Sequence, residues 1–420
     1  MRIIADLHIH SKYSRATSPD MNLPTLAGWA RIKGIDLLGT GDFTHPAHFA
    51  DISERLEPAG SGLFALKDQP AGAKPVQFML TAEVSNIFSQ GGRTRKIHSL
   101  IFAPTLKAAG RMNAAFSRLG NIRSDGRPIL GFSAIDLLKI VLDASPDAML
   151  IPAHAWTPWF SIFGSKSGFD SIEECFGGLS KHIHAIETGL SSDPQMNWRL
   201  SALDRVALIS NSDAHSPKKL GREANVFDCA MDYYEITDII KKKDNKRFLY
   251  TVEFYPEEGK YHSDGHRNCG VLLTPEETLK AGKTCPVCGS GVTVGVMSRV
   301  SELADRPSGF VPPNAIPARH LVPLEEILAE LLDCGSAAKK VAAEYARLTE
   351  AAGGEFRLLL DLCEDDIKKI ADEKTALAVM KVRRGELSIS PGFDGEFGRI
   401  KIFGRNPEIK PVSPAQAALF

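Results

Sequence analysis

Along the first 220 residues, short apolar runs alternate with longer stretches whose apolar residues recur every three or four positions. The short runs are RIIADL, IDLLGTGD, QFMLTAE, HSLIFAP, AMLIPAH, HAIETG and ALISNSDAH. They predict strands, and segments between them such as LPTLAGWARIKG and SAIDLLKIVLDA predict amphipathic helices. Strands joined by helical crossovers predict an α/β fold with a parallel sheet, and a barrel is its expected closure. From Lys241 the alternation stops: KKKDNKR is a charged run, followed by FLYTVEFY and a Gly/Cys/His-rich stretch to Thr293. Pro307–Pro317 (PSGFVPPNAIP) has the composition of a linker. Beyond it LEEILAELLD, SAAKKVAAEYARLTEAA and EDDIKKIADEKTALAVMKVRRGEL predict helices, and SISPGFDGEFGRIKIF a turn between strand-like ends. The expected division is a catalytic unit at 1–240, a small module at 241–305, a mainly helical unit at 306–410 and a flexible tail at 411–420.

Composition changes this picture little. Apolar residues make up 43% and charged residues 24%, as in ordinary globular proteins. A net charge of −1 leaves no global basic field, so a nucleic-acid partner would need local patches. No run of about 18 apolar residues offers a membrane span. Seven cysteines, an odd number, do not form a disulfide framework. A reducing cytoplasm is the expected location.

The polar residues at the strand ends change it a great deal. His8 and His10 alternate on an extended chain, so both rings face one side, where a metal ion is their natural shared partner. The second run ends in Asp42 and His45, the third in Glu83, and His98 opens the fourth. The fifth ends at His154, the sixth at Glu187, and the seventh at Asp213 and His215. In α/β barrels such ends converge on one rim, so these residues would meet. Glu187 reads equally well as a hydrogen-bonded polar residue, and His45 as a group orienting Asp42.

Taken in order, DLHIHS, GTGD, AEV, HSLIF, PAHAW and NSDAH resemble the motifs of the PHP (polymerase and histidinol phosphatase) superfamily over residues 1–220. The resemblance implies a seven-stranded distorted barrel holding two or three divalent ions and hydrolysing phosphoesters. It implies a first ion on His8, His10, Glu83 and Asp213, and a second on His98 and His154, bridged by Glu83. Asp42 and His215, with His45 beside them, would hold a third. His8, Glu83 and Asp213 would then be the centre of catalysis. Two departures bear on the third ion: Gly41-Asp42 stands where the family commonly has Asp-His, and no further histidine follows the HxH pair near Ser14. Such ions lower the pKa of bound water towards about 7, supplying hydroxide at neutral pH. Nitrogen-rich ligands favour zinc, manganese or iron over magnesium.

GHRNC places His266 and Cys269 at H-x-x-C, and TCPVCG places Cys285 and Cys288 at C-x-x-C. Two short-spaced pairs suit a closed tetrahedral structural zinc site, with His266 preferred to His262 as the fourth ligand. With VGVMSRVSELADRP and the helical last third, this module resembles the endonuclease Q family over nearly the whole chain. That resemblance implies metal-dependent incision of damaged DNA on the 5′ side of deaminated bases (uracil, hypoxanthine, xanthine) and abasic sites, with the lesion turned out of the stack.

Candidate phosphate contacts are Lys12 and Arg15 after the HxH pair, and Arg93, Arg95 and Lys96 in GGRTRK. Arg123 and Arg127, in the polar loop RSDGR, form a further cluster that would neutralise backbone phosphates. Tyr13, Phe43, Phe88, Trp156 and Trp159 are candidate base-stacking aromatics. In QAALF, Gln416, Leu419 and Phe420 match the Q-x-x-L-F pattern of peptides that dock on bacterial sliding clamps. The expected partners are therefore damaged DNA and a sliding clamp, in a nucleoid-associated protein. The competing readings are a phosphatase of small phosphomonoesters and a binding scaffold with a vestigial metal site.

Overall fold

The computed structural model describes residues 1–69, 72 and 74–404. Its α/β core contains β1 (Arg2–Asp6), β2 (Leu37–Gly39), β3 (Leu56–Pro58), β4 (Phe64–Leu66), β5 (Gln77–Gln90) and β6 (Arg93–Ala103). It continues with β7 (Ile129–Leu130), β8 (Met149–Pro152), β9 (Ala185–Glu187), β10 (Ala207–Ile209), β11 (Ala224–Asp228) and β12 (Phe248–Glu253). The main sheet is mixed, not parallel as expected. β1, β2 and β5 run parallel, whereas β6 is antiparallel to both β5 and β8, and β11 is antiparallel to β1. The reason is local. Gly91 and Gly92, both at positive φ, make a tight turn, so QFMLTAE and HSLIFAP form one long hairpin with no helix between them. His98 consequently sits inside β6, opposite Ser85, and does not open the strand.

β9 and β10 pair in parallel beside the main sheet. They meet it through the Ala155 amide on the Glu187 carbonyl and a bridge between Ile9 and Ala214. One buried cluster draws Ile3, Leu37, Met79, Leu100, Ile151, Ala185 and Ile209 inward. Helices lie between the strands, and three of them start at a side-chain cap: Asn22 for Leu23–Lys33, Thr105 for Leu106–Leu119 and Ser133 for Ala134–Ala144.

The sheet also crosses the expected boundaries. FLYTVEFY supplies β12, which pairs with β11, and Ala318–His320 adds a parallel strand beyond it. The helices Leu324–Leu331, Lys339–Ala352, Glu364–Ile370 and Glu373–Arg384 pack on one another, and Lys339–Ala352 packs back on Leu23–Lys33. A buried ion pair, Lys33 Nζ to Glu355 Oε2 at 2.6 Å, joins the two, and Tyr345 donates to the same carboxylate. The hairpin of Ser388–Ser390 and Arg399–Lys401 docks instead on the cysteine module, where the Arg267 amide donates to Asp394. No helix among the described residues is long and apolar enough to cross a membrane.

Candidate metal centre

Two ligand groups meet at Glu83. His8, His10, Glu83 and Asp213 offer atoms that all lie within 4.8 Å of one another, and so do Glu83, His98 and His154. Glu83 turns a different oxygen to each group. Its Oε2 lies 3.6 Å from His8 Nε2 and 3.3 Å from His10 Nε2. Its Oε1 lies 2.8 Å from His98 Nδ1 and 3.0 Å from His154 Nε2.

A carboxylate stands behind each histidine of the HxH pair. His8 Nδ1 donates to Glu187, 3.0 Å away, and His10 Nδ1 donates to Asp42 Oδ1 at 3.1 Å. This is how proteins orient metal-binding imidazoles, because it leaves the Nε2 lone pair pointing forward. His8 Nε2, His10 Nε2 and Asp213 Oδ1 are buried with no hydrogen-bond partner. Three orphaned acceptor atoms facing one space suit a cation.

The electrostatics agree. Burial opposes charge on His8, yet Glu187 and Glu83 outweigh it and hold its pKa well above the usual imidazole range. Burial is likewise outweighed at His10, by Asp42 and Asp213. Glu83 stays ionised despite burial because His98 and Arg127 face it, whereas burial pushes His98 down to about 4. Protons here balance carboxylate charge that divalent ions would otherwise balance. Asp42, His154 and Asp213 also sit at positive φ, a backbone conformation that non-glycine residues adopt where function demands it.

Three expected ligands belong to no such group among the described residues. Asp42 orients His10, and its Oδ2 accepts from the Ser11 amide and hydroxyl and from Ser14 Oγ. His45 stacks on Tyr13 and directs Nε2 to the Arg123 carbonyl. His215 turns Nδ1 to the Asp213 carbonyl.

Of the expected phosphate contacts, Arg15 and Arg93 are exposed, and Lys96 lies over the ring of half-exposed Trp159 at the rim. Lys12 lies near Asp51. Arg95 is folded inward, paired with Glu174, donating to the Gly168 carbonyl and stacked on Phe169, so it is not free for DNA. Phe43, Phe88 and Trp156 are core residues, leaving Tyr13 and Trp159 as the accessible aromatics of that set. His266, Cys269, Cys285 and Cys288 form a third ligand group, and His262 lies outside it. Gln416, Leu419 and Phe420 lie outside the described residues.

Two contacts at the centre had no signal in the sequence, although Arg127 itself stood in a candidate phosphate-binding cluster. Arg127 Nη1 donates to Glu83 Oε2 at 2.9 Å. Asp6, pushed up to about 6 by burial, accepts from the Ser212 and Gly221 amides and fixes the loop that carries Asp213.

Comparison with known proteins decides the family. The chain is 33% identical to a lesion-specific endonuclease, endonuclease Q of Pyrococcus furiosus, with a TM-score of 0.84 over 97% of this chain and 96% of that one. The chain belongs to the endonuclease Q family. A second family structure, solved with a 27-mer duplex carrying an abasic lesion at the active site, matches at 32% identity and a TM-score of 0.81, covering 97% and 99% of the two chains. An uncharacterized protein of Bacillus subtilis (strain 168), YqxK, is 30% identical across 95% of this chain and 99% of its own length. MJ0043 of Methanocaldococcus jannaschii is 32% identical over 59% of this chain and 31% of its own length. Residues 323–386 match the MJ0043 C-terminal domain. As a family member the protein is a hydrolase of the nuclease class, and its ligand groups are those of a metal-dependent one.

Proposed function

We propose that this endonuclease Q family member hydrolyses the DNA phosphodiester on the 5′ side of deaminated bases (uracil, hypoxanthine, xanthine) and abasic sites. The observation that carries the reading is Glu83, placed between two ligand groups whose forward lone pairs have no partner. A relative of near-identical length bound to a duplex with an abasic lesion supports DNA as the substrate.

Bound zinc, manganese, iron or magnesium would neutralise the phosphate and supply hydroxide at neutral pH. His8, His10 and Asp213 would hold one ion, His98 and His154 another, and Glu83 both. Glu187 and Asp42 keep the imidazoles in the tautomer that ligation needs. Burial of every ligand except Asp213 excludes competing water. Lys12, Arg15, Arg93 and Lys96 would meet backbone phosphates, and Trp159 would stack against a displaced base. His266, Cys269, Cys285 and Cys288 would hold one structural zinc. We read β1, β2, β5, β6, β8, β9 and β10 as a closed, distorted seven-stranded barrel around this centre.

Duplexes with a uracil, hypoxanthine, xanthine or abasic site, an undamaged duplex and p-nitrophenyl phosphate, each with manganese, magnesium or zinc, test the reading. We expect nicks 5′ to the lesion and none in undamaged DNA. Asp213→Asn should still bind the damaged duplex but not nick it. Phenol release without nicking, or nicking by Asp213→Asn, would overturn the assignment.

A further inference from the structure

Residues 121–128 form a loop laid across one side of the metal centre, and the GTGDFTH segment holds it there. Thr44 Oγ1 donates to the Gly126 carbonyl at 3.0 Å, and His45 Nε2 reaches the Arg123 carbonyl at 3.2 Å. The Gly126 amide donates to the Tyr13 carbonyl, and the Ser85 amide to that of Pro128. Gly126 lies so close that a Cβ there would collide with Asp42 Oδ2 and Ser14 Oγ.

This loop stands where the resemblance puts a third ion, and the residues present do not suit one. Asp42 Oδ2 already accepts three hydrogen bonds, its Oδ1 orients His10, and the Gly126 backbone covers it. What the loop brings to the centre is a cation of its own. Arg127 spends Nη1 on Glu83 Oε2, and its other side-chain N–H groups have no protein partner among the described residues. Its side chain is 27% exposed, so those donors are open to a ligand from solvent.

We propose that Arg127 holds a non-bridging oxygen of the phosphate to be cleaved, and that the barrel binds two ions, with the guanidinium supplying the third positive charge. The inference rests on the phosphodiesterase reading above. A guanidinium presents a planar fork that matches two phosphate oxygens, which a spherical cation or a lysine does not. Ions shared by Glu83 would weaken the pull of that carboxylate on Arg127, whose free donors would then be available to the incoming anion.

Metal content and phosphate binding test this without DNA. Manganese- and zinc-loaded wild type, Arg127→Lys and Arg127→Met are assayed by elemental analysis, and inorganic phosphate is titrated into each by calorimetry. Two barrel ions and one module ion per chain are expected in all three. Arg127→Met should bind phosphate about 10-fold or more weakly than wild type, with Arg127→Lys between. A third barrel ion located beside Asp42 by anomalous scattering would overturn the proposal. So would unchanged phosphate affinity in Arg127→Met, loss of its barrel ions, or a wild type that does not bind phosphate. A loaded wild type that binds phosphate through Arg127 yet fails to nick damaged duplexes would overturn only the endonuclease reading.

Discussion

Glu187 and Asp42 perform one task on two histidines: each accepts the Nδ1–H hydrogen bond and leaves Nε2 facing the centre. Glu187→Gln removes the charge but keeps the shape, so metal affinity should fall by about 10- to 100-fold, as competition with a chelating dye would read. The clustering of His8, His10, His98 and His154 with Glu83 was legible because few residue types suit transition ions and these recurred along successive strands. Asp42's task was not. A carboxylate that holds an ion and one that orients an imidazole look alike in sequence, and the difference lies in where Ser11 and Ser14 point. A second buried carboxyl has a different consequence. Burial pushes Glu253 up to about 8, against an ordinary 4.5, and Thr188 donates to it. The folded protein therefore holds a proton that the unfolded chain loses above pH 4.5. Stability falls as pH rises through that window and is fully lowered above pH 8. Glu253→Gln should melt a few degrees above wild type at pH 9, by less at pH 6, and close to it only as pH falls to about 4.5, by scanning calorimetry.

Among the elements, the β5–β6 hairpin departs most from its expected form. Its strands were visible, but the connection was not, because Gly91-Gly92 sits inside what scans as a basic loop. The helices were legible through their three- and four-residue apolar periodicity. The cysteine module was legible from CPVCG, whose turn is closed by the Gly289 amide on the Cys285 carbonyl. Its closure by Asp394, which binds the Arg267 amide and the Thr293 hydroxyl from more than a hundred residues away, had no local signal. Cys285→Ser should lower bound zinc by one atom per chain and leave the barrel ions in place. Elemental analysis, with limited proteolysis of residues 260–300, checks both halves.

For the whole molecule, neither expected inner boundary marks the edge of the sheet, because β12 and Ala318–His320 extend it into what composition reads as the small module and the helical unit. Pairing across that distance depends on tertiary packing, which periodicity does not record. We propose that the Q-x-x-L-F motif docks on a sliding clamp: a chain ending at Ala415 should lose co-elution with the clamp while incising short duplexes at the wild-type rate. Ala318–His320 lies parallel to β12, so the chain must travel from one end of the sheet to the other before laying down this outermost rung. Residues 254–317 are that return path, and the cysteine cluster is the knot in it. If the cluster holds the proposed zinc, stripping it would slacken the tether of a border strand, and a loosened border recruits other chains. Chelation would then announce itself as clumping.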